Sequence, residues 1–328
     1  MIVGGRRPSS ATMRAALHRE WGAALEIAEV PRPEPAAGEV RIAVQATSVN
    51  PIDIYTGYNV GYEQSMQLPC IPGWDVAGVV DSVGYGVTRH AVGDRLFGLA
   101  SFPQPAGTYA EYLTVPAHHL AAMPASLSFT EAACLPMAAL TAWQMLDSVA
   151  ANGTRDLAGH RVLVSGASGG VGHLAVQLAA ARGATVVALA RPGNHAALYE
   201  LGAHSCADHT DPAAVAAIGT VDAVVDLVGR EFGRSLFGLV AAGGSISLAN
   251  AWSIPDYEAA AATYGIRAVS YLVEPDPEAL RAIAALADTG RLRVVVGAEF
   301  DLSRAVEAQQ WVQNRAGFGK AAIVTGVP

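Results

Sequence analysis

The sequence predicts an α/β protein in two parts, a β-rich, barrel-like domain followed by a doubly wound parallel sheet. Three observations predict this. Residues 13–125 break into short apolar runs punctuated by Gly and Pro, the texture of strands and turns. From residue 161 onward, β-like and α-like patterns alternate with short Gly turns, which calls for a parallel sheet. Between them, a β-branched run enters a glycine-rich turn and then an Ala-rich amphipathic segment, at residues 161–182.

In order along the chain, residues 1–12 read as a loose leader. Candidate strands are 14–18, 39–46, 76–83, 95–99 and 109–115. A helix is expected over 131–150, then strand 161–166, helix 170–182, strand 185–190 and helix 194–201. A short strand near 206, helix 212–218, strand 221–227, helix 232–240 and strands 244–249 and 266–271 follow. The end of the chain reads as helix 277–288, strand 292–296, helix 303–313 and strand 321–326. A domain boundary is expected near residue 128, where the strand-and-turn texture gives way to a helical one.

The stretch Arg161-Val-Leu-Val-Ser-Gly-Ala-Ser-Gly-Gly-Val-Gly172 opens a nucleotide-binding βαβ unit. Gly166 lets the chain turn off the strand. Gly169 leaves room for a pyrophosphate to approach the backbone, and Gly172 lets the helix pack closely. Ser168, Gly170 and Val171 complete the loop, whose N–H groups and helix dipole favour phosphate. The second strand ends in Val186-Val-Ala-Leu-Ala-Arg-Pro-Gly-Asn-His195. An NAD site usually places an acid there for the ribose 2′-OH. No acid lies between Gly183 and Tyr199, and Arg191 stands in its place, able to fork onto a 2′-phosphate, with His195 and Tyr199 just beyond. The expected cofactor is therefore NADPH.

The chain has 328 residues, 52% hydrophobic and 15% charged, enough for a large core. A net charge of −8 argues against nucleic acid or an anionic membrane as partner. No run of apolar residues is long enough to span a bilayer. Cys70, Cys134 and Cys206 form no CxxC and no even framework, which reads as a reducing cytoplasm. A homodimer and a small apolar acceptor are expected.

Several ordered segments together resemble the medium-chain dehydrogenase/reductase superfamily, in its zinc-free NADPH:quinone oxidoreductase-like branch. They are Ser48-Val-Asn-Pro-Ile-Asp-Ile-Tyr55, Pro72-Gly-Trp-Asp-Val-Ala-Gly-Val-Val80, Val92-Gly-Asp-Arg-Leu-Phe-Gly98, Gly107-Thr-Tyr-Ala-Glu-Tyr112, Leu140-Thr-Ala-Trp143, the glycine loop and Gly319-Lys320. The resemblance implies a GroES-like β-rich catalytic domain plus a Rossmann domain, with residues 275–328 returning to the former. Zinc members carry Cys near position 50 and Gly-His-Glu where this chain has Gly73-Trp74-Asp75. Trp cannot ligate zinc, no Cys lies near residue 50, and three cysteines cannot build a four-cysteine lobe. His118-His119 reads as a surface pair on a strand. No metal is expected.

By the same resemblance, a loop carrying Asn50, Asp53 and Tyr55 faces the nicotinamide, and all three could meet one substrate oxygen. Tyr55 is either a proton donor or an aromatic wall, Asp53 a participant or a turn cap. Thr141, Val228, Leu248 and Leu272 match or fall at positions near the cofactor, and Lys320 either reaches it or is solvated. Tyr58, Tyr62, Met66, Phe97, Phe102 and Trp252 could line an apolar pocket or be plain core, and the segment 57–69 could be a lid. These expectations describe metal-free hydride transfer from NADPH to a quinone or activated enone. A 2-enoyl thioester or other C=C reductase is the alternative on the same scaffold. A non-catalytic NADPH-binding protein is the alternative of another class.

Overall fold

The structure is a computed structural model that describes residues 11–61, 66–150 and 155–327. Its elements run β1 (Thr12–Leu17), β2 (Glu26–Pro31), β3 (Glu39–Val49), α1 (Pro51–Gly57), β4 (Asp75–Val83), β5 (Arg95–Leu99), β6 (Tyr112–Pro116), β7 (Leu120–Ala122), α2 (Phe129–Ala133) and α3 (Pro136–Val149). Then come β8 (Arg161–Val164), α4 (Gly172–Ala181), β9 (Thr185–Leu189), α5 (His195–Glu200), β10 (Ser205–Ala207), α6 (Pro212–Ala216), β11 (Val221–Asp226), α7 (Arg230–Ser235) and β12 (Val240–Leu248). The chain ends with α8 (Tyr257–Thr263), β13 (Arg267–Ser270), α9 (Pro277–Asp288), β14 (Val296–Asp301), α10 (Ala305–Gln313) and β15 (Lys320–Val324). Two compact units result. One holds the described residues through Met137, Glu274–Ala285 and those from Val296. The other holds Ala138–Val273 and Leu286–Val295.

The first unit is β-rich. Seven strands form one sheet in the order β14-β15-β3-β4-β5-β7, with β6 also paired to β3. All its pairs are antiparallel except β14 with β15. Side chains alternate across a strand, so Val40, Ile42 and Val44 of β3 meet Val76, Val80, Leu96, Leu113 and Leu120 in one core. The C-terminal strand β15 lies against β3, placing Ala321 opposite Val49 and bringing Lys320 beside the end of β3.

The second unit carries six parallel strands in the order β10-β9-β8-β11-β12-β13. Its central strands β8, β9 and β11 are Val-rich and buried over most of their length, as a sheet covered on both faces requires. Sequence order reverses between β8 and β11, and in such sheets the crevice beyond the strand ends at this switch is where ligands bind. Gly166, at the end of β8, has φ +63°, the left-handed turn a side chain rarely adopts. A Cβ on Gly172 would stand 2.2 Å from the Gly166 oxygen, so only glycine lets α4 begin this close to the loop.

Several expectations shift. Asn50, Asp53 and Tyr55 sit on a helix and its cap, not on a loop: Pro51 occupies the first turn and Asp53 accepts the Asn50 N–H at 2.8 Å. Strand β14 spans 296–301 where 292–296 was expected. The preceding segment is instead tied to α4: the Gln177 amide exchanges hydrogen bonds with both the N–H and the C=O of Arg293, at 2.7 and 2.9 Å. That pairing keeps 286–295 with the parallel-sheet unit rather than with the returning tail. Thr12 already belongs to β1, while the rest of the expected leader, apart from Ala11, lies outside the described residues, as does Tyr62. His118 and His119 stand on a 3₁₀ turn with their rings edge to face, not on a strand. Among the described residues no helix is long and apolar enough to cross a membrane.

Candidate functional site

In the β-rich unit a polar cluster is built around Asp75, the first residue of β4, whose exposure is 0%. An ionised carboxylate loses its hydration when buried and must be repaid by donors. Asp75 has four sources. Ser48 Oγ donates to Oδ2 at 2.5 Å, Asn50 Nδ2 to Oδ2 at 2.8 Å and the Met137 N–H to Oδ1 at 2.6 Å. The Lys320 ammonium stands 3.7 Å from Oδ2. Lys320 Nζ also donates to Asn50 Oδ1 at 2.6 Å and to the Val49 carbonyl at 3.2 Å. Lys320 is thus buried and not a solvated lysine.

Asp53 sits one turn into α1, also at 0% exposure. Its Oδ2 accepts the Asn50 N–H and, at 3.0 Å, the Tyr109 hydroxyl, while Oδ1 has no partner. Burial first, then the charge of Asp75, pushes its carboxyl up to about 7, against the opposing pull of the Asn50 N–H, Lys320 and Tyr109. Burial and the Asp53 charge likewise raise the Tyr109 phenol well above its ordinary range. Tyr55 does not join this cluster. Two residues along a helix are about 200° apart, so with Asp53 turned inward Tyr55 faces out, 43% exposed. The convergence of Asn50, Asp53 and Tyr55 on one substrate oxygen is therefore not what the structure shows: Asn50 and Asp53 are internal and Tyr55 alone is open. Among the pocket candidates, Met66, Phe97 and Phe102 are buried core, Phe102 lying edge-on to Trp74, whereas Tyr58 and Trp252 are exposed.

In the parallel-sheet unit the glycine loop and the turn after β11 meet. A Cβ on Gly166 would lie 3.4 Å from Val228. Asp226, at the end of β11, accepts Ser165 Oγ at 2.5 Å and the N–H groups of Val228 and Gly229 at 3.1 and 3.0 Å, which fixes that turn. Its burial raises its carboxyl above the usual range, with these donors pulling it back. His173 pins the loop from below. The Val295 N–H can only donate, so His173 Nε2 accepts it at 3.2 Å and Nδ1–H donates to the Gly169 carbonyl at 3.0 Å. Ser168, Gly170 and Val171 are half-buried and Gly169 is exposed, and a Cβ on Gly169 would meet only the Gly166 oxygen, at 3.2 Å, leaving its outer side open.

Arg191 follows β9 and is exposed; its carbonyl accepts the Asn194 N–H at 2.9 Å, while its guanidinium has no hydrogen-bond or ion-pair partner among the described residues. His195 Nε2 lies 3.0 Å from the Ala190 carbonyl and so braces the turn, and Tyr199 is 50% exposed. Thr141 is half-buried on α3. The Leu248 side chain is fully buried and its carbonyl accepts the Tyr271 N–H, which leaves no side-chain surface for a ligand, while Leu272 is half-exposed. The sequence reading passed over Asp75 as a displaced ligand and missed Ser48, Tyr109, Asp226 and His173. Asp226 had a signal, an acid ending a buried strand. His173 had none.

Comparison with known proteins follows this geometry. Residues 36–125 match the alcohol dehydrogenase GroES-like domain family and residues 201–323 the zinc-binding dehydrogenase family. A quinone oxidoreductase from Rattus norvegicus is 30% identical over 300 residues, covering 87% of this chain and 88% of its own. The chain belongs to the quinone oxidoreductase-like medium-chain dehydrogenase/reductases. Within that family, a 2-methylene-furan-3-one reductase from Solanum lycopersicum is 30% identical over 300 residues, 89% of this chain and 73% of its own. The solved quinone oxidoreductase from Coxiella burnetii superposes with a TM-score of 0.90 at 32% identity, over 96% of this chain and 100% of that one. The matches to three other curated relatives span 8%, 56% and 62% of those proteins' lengths. The GroES-like and Rossmann-like assignments of the two units hold.

The family name raises the question of zinc. Trp74 is fully buried with its indole N–H given to the Gln104 carbonyl, and both Asp75 oxygens are already occupied by donors. No three His, Cys, Asp or Glu side chains converge among the described residues. This donor set does not fit a zinc ion. The glycine loop, by contrast, fits a dinucleotide pyrophosphate, with room outside Gly169 and the start of α4 behind it.

The buried Asp53 sets a pH dependence. Its folded pKa of about 7 lies above that of an unfolded Asp, near 3.9. Its stabilising contribution is complete below about pH 4 and is lost as pH rises through about 7. Asp53→Asn, which mimics the protonated acid, should fall less in thermal midpoint than the wild type between pH 5 and 8. Parallel midpoint curves for the two proteins would show that Asp53 does not titrate in this range.

Proposed function

We propose that the chain is an NADPH-dependent oxidoreductase that delivers hydride to a quinone or an activated enone without a metal. The observation that carries this is an open glycine loop after β8 together with Arg191 after the neighbouring strand β9, its guanidinium without a partner among the described residues. A free arginine where an acid would hold a ribose 2′-OH suits a 2′-phosphate. Nicotinamide, when bound, supplies the hydride. The protein's own work is to bind, orient and manage a proton. The acceptor class is drawn from the names of the rat and tomato relatives, one a quinone reductase and one acting on a C=C conjugated to a carbonyl. Both acceptors provide their own electron sink, so neither needs a Lewis acid.

NADPH oxidation should be assayed with a panel of quinones, enals, enones and enoyl thioesters, each with and without a chelator. The reading predicts turnover of quinones or enones that the chelator leaves unchanged. Turnover of enoyl thioesters alone, or loss of activity with the chelator, would overturn it. In the same assay Arg191→Ala should weaken NADPH by about 1.5–3 kcal/mol, the worth of a hydrogen bond to a charged group, and leave NADH unchanged. Equal losses for both cofactors would show that Arg191 does not read the 2′-phosphate.

Tyr55 is the open member of the predicted trio, 43% exposed, and in this reading it donates a proton to an oxygen or carbon outside α1. An enolate carbon needs a positioned proton, whereas a hydroquinone anion takes one from water. Tyr55→Phe should therefore lower kcat for enones by roughly 10²–10⁴-fold, the usual worth of general acid help, and spare quinones. Equal kcat values for wild type and variant with enones would leave Tyr55 as a wall.

A further inference from the structure

Lys320 is the only lysine in 328 residues, against 20 arginines. Everywhere else this chain answers the need for a fixed positive side-chain charge with a guanidinium. At position 320 it keeps an ammonium, and the ammonium is buried, 4% exposed. The surroundings give the reason. Three oxygens face Nζ: Asn50 Oδ1 at 2.6 Å, the Val49 carbonyl at 3.2 Å and Asp75 Oδ2 at 3.7 Å. An ammonium has three hydrogens and is compact. A guanidinium has five in a rigid plane and would leave donors unsatisfied in a site this closed.

The same geometry sets the Asn50 side chain. Its Oδ1 faces the ammonium and its Nδ2 donates to the Asp75 carboxylate at 2.8 Å. Turning the amide over would place its oxygen against a carboxylate and its NH₂ against a cation. Charge on both sides therefore holds one orientation. Asn50 is also the N-cap of α1, its N–H held by Asp53 Oδ2 at 2.8 Å, so the entry of the helix depends on where Asn50 is held.

We propose that Lys320 is a positioning residue, whose ammonium balances the buried Asp75 carboxylate and fixes the Asn50 amide, and with it the start of the helix that carries Tyr55. For its catalytic consequence this rests on the oxidoreductase reading above. Its structural consequence does not.

The test uses Lys320→Met, Lys320→Arg and the double variant Lys320→Met with Asp75→Asn, in the full chain. Two readouts are taken: kcat and KM with NADPH and the best acceptor, and amide hydrogen exchange over α1. Lys320→Met leaves a lone buried carboxylate, so its thermal midpoint should fall. Its kcat should drop by roughly 10–100-fold, as for a displaced group near the chemistry, with KM for NADPH unchanged and α1 amides exchanging faster. The double variant removes both charges and should regain the midpoint without regaining kcat or slow exchange. Lys320→Arg should resemble Lys320→Met. A double variant that recovers kcat and slow exchange together would make Lys320 a plain counter-ion, and Lys320→Arg behaving as wild type would remove the case for an ammonium; either result overturns the proposal. Should Lys320→Met not fold, the double variant and Lys320→Arg decide alone. A wild type inactive with every acceptor would overturn the oxidoreductase reading only, and α1 exchange would then decide the role of Lys320.

Discussion

Burial of the Asp75 carboxylate is the constraint from which the β-rich unit's candidate site follows. A charge without water must be met by donors on every side. Those donors come from distant parts of the chain: Ser48 and Asn50 at the end of β3, the Met137 N–H at the start of α3, and Lys320 at the start of β15. The pairing of β15 with β3 is what delivers Lys320 to this point. Sheet register and site electrostatics are thus one arrangement. A one-residue slip in that pairing would turn Lys320 to the opposite face and strand the carboxylate.

The parallel-sheet unit uses buried polar groups in the same way. Asp226 gathers Ser165 and two main-chain N–H groups to shape the turn beside the glycine loop. His173 and Gln177, both on α4, reach the 293–295 segment and so anchor the helix that starts at the loop. The glycines make the loop possible, and these side chains keep it in one shape. Each is neutral or fully hydrogen-bonded, as a group in a buried network has to be.

Much of this was legible in the sequence because it rests on local rules. Strand–glycine–helix spacing located the loop, and the missing acid singled out Arg191, since both depend on residues within one βαβ unit. The helix α1 carries a readable signal, Asn-Pro-x-Asp at residues 50–53, but a segment this short after a strand has the pattern of a loop as well. What stayed hidden is non-local. Nothing around position 320 says that its neighbours in space are residues 49, 50 and 75. Nothing around His173 points to residue 295. The faces of α1 were also out of reach without its helical phase, and that phase is what separates Asp53 from Tyr55. Phe97 and Phe102 were ambiguous for a related reason: an aromatic side chain reads the same in a core as in a pocket.

A chain with one lysine permits a direct measurement. Protein labelled with ¹⁵N only in lysine should give a single side-chain ammonium resonance. The account predicts that its hydrogens exchange slowly with water and that Asp75→Asn shifts the signal markedly. An ammonium that exchanges as fast as an exposed lysine, and does not respond to Asp75→Asn, would contradict the buried pair on which the account of this site depends.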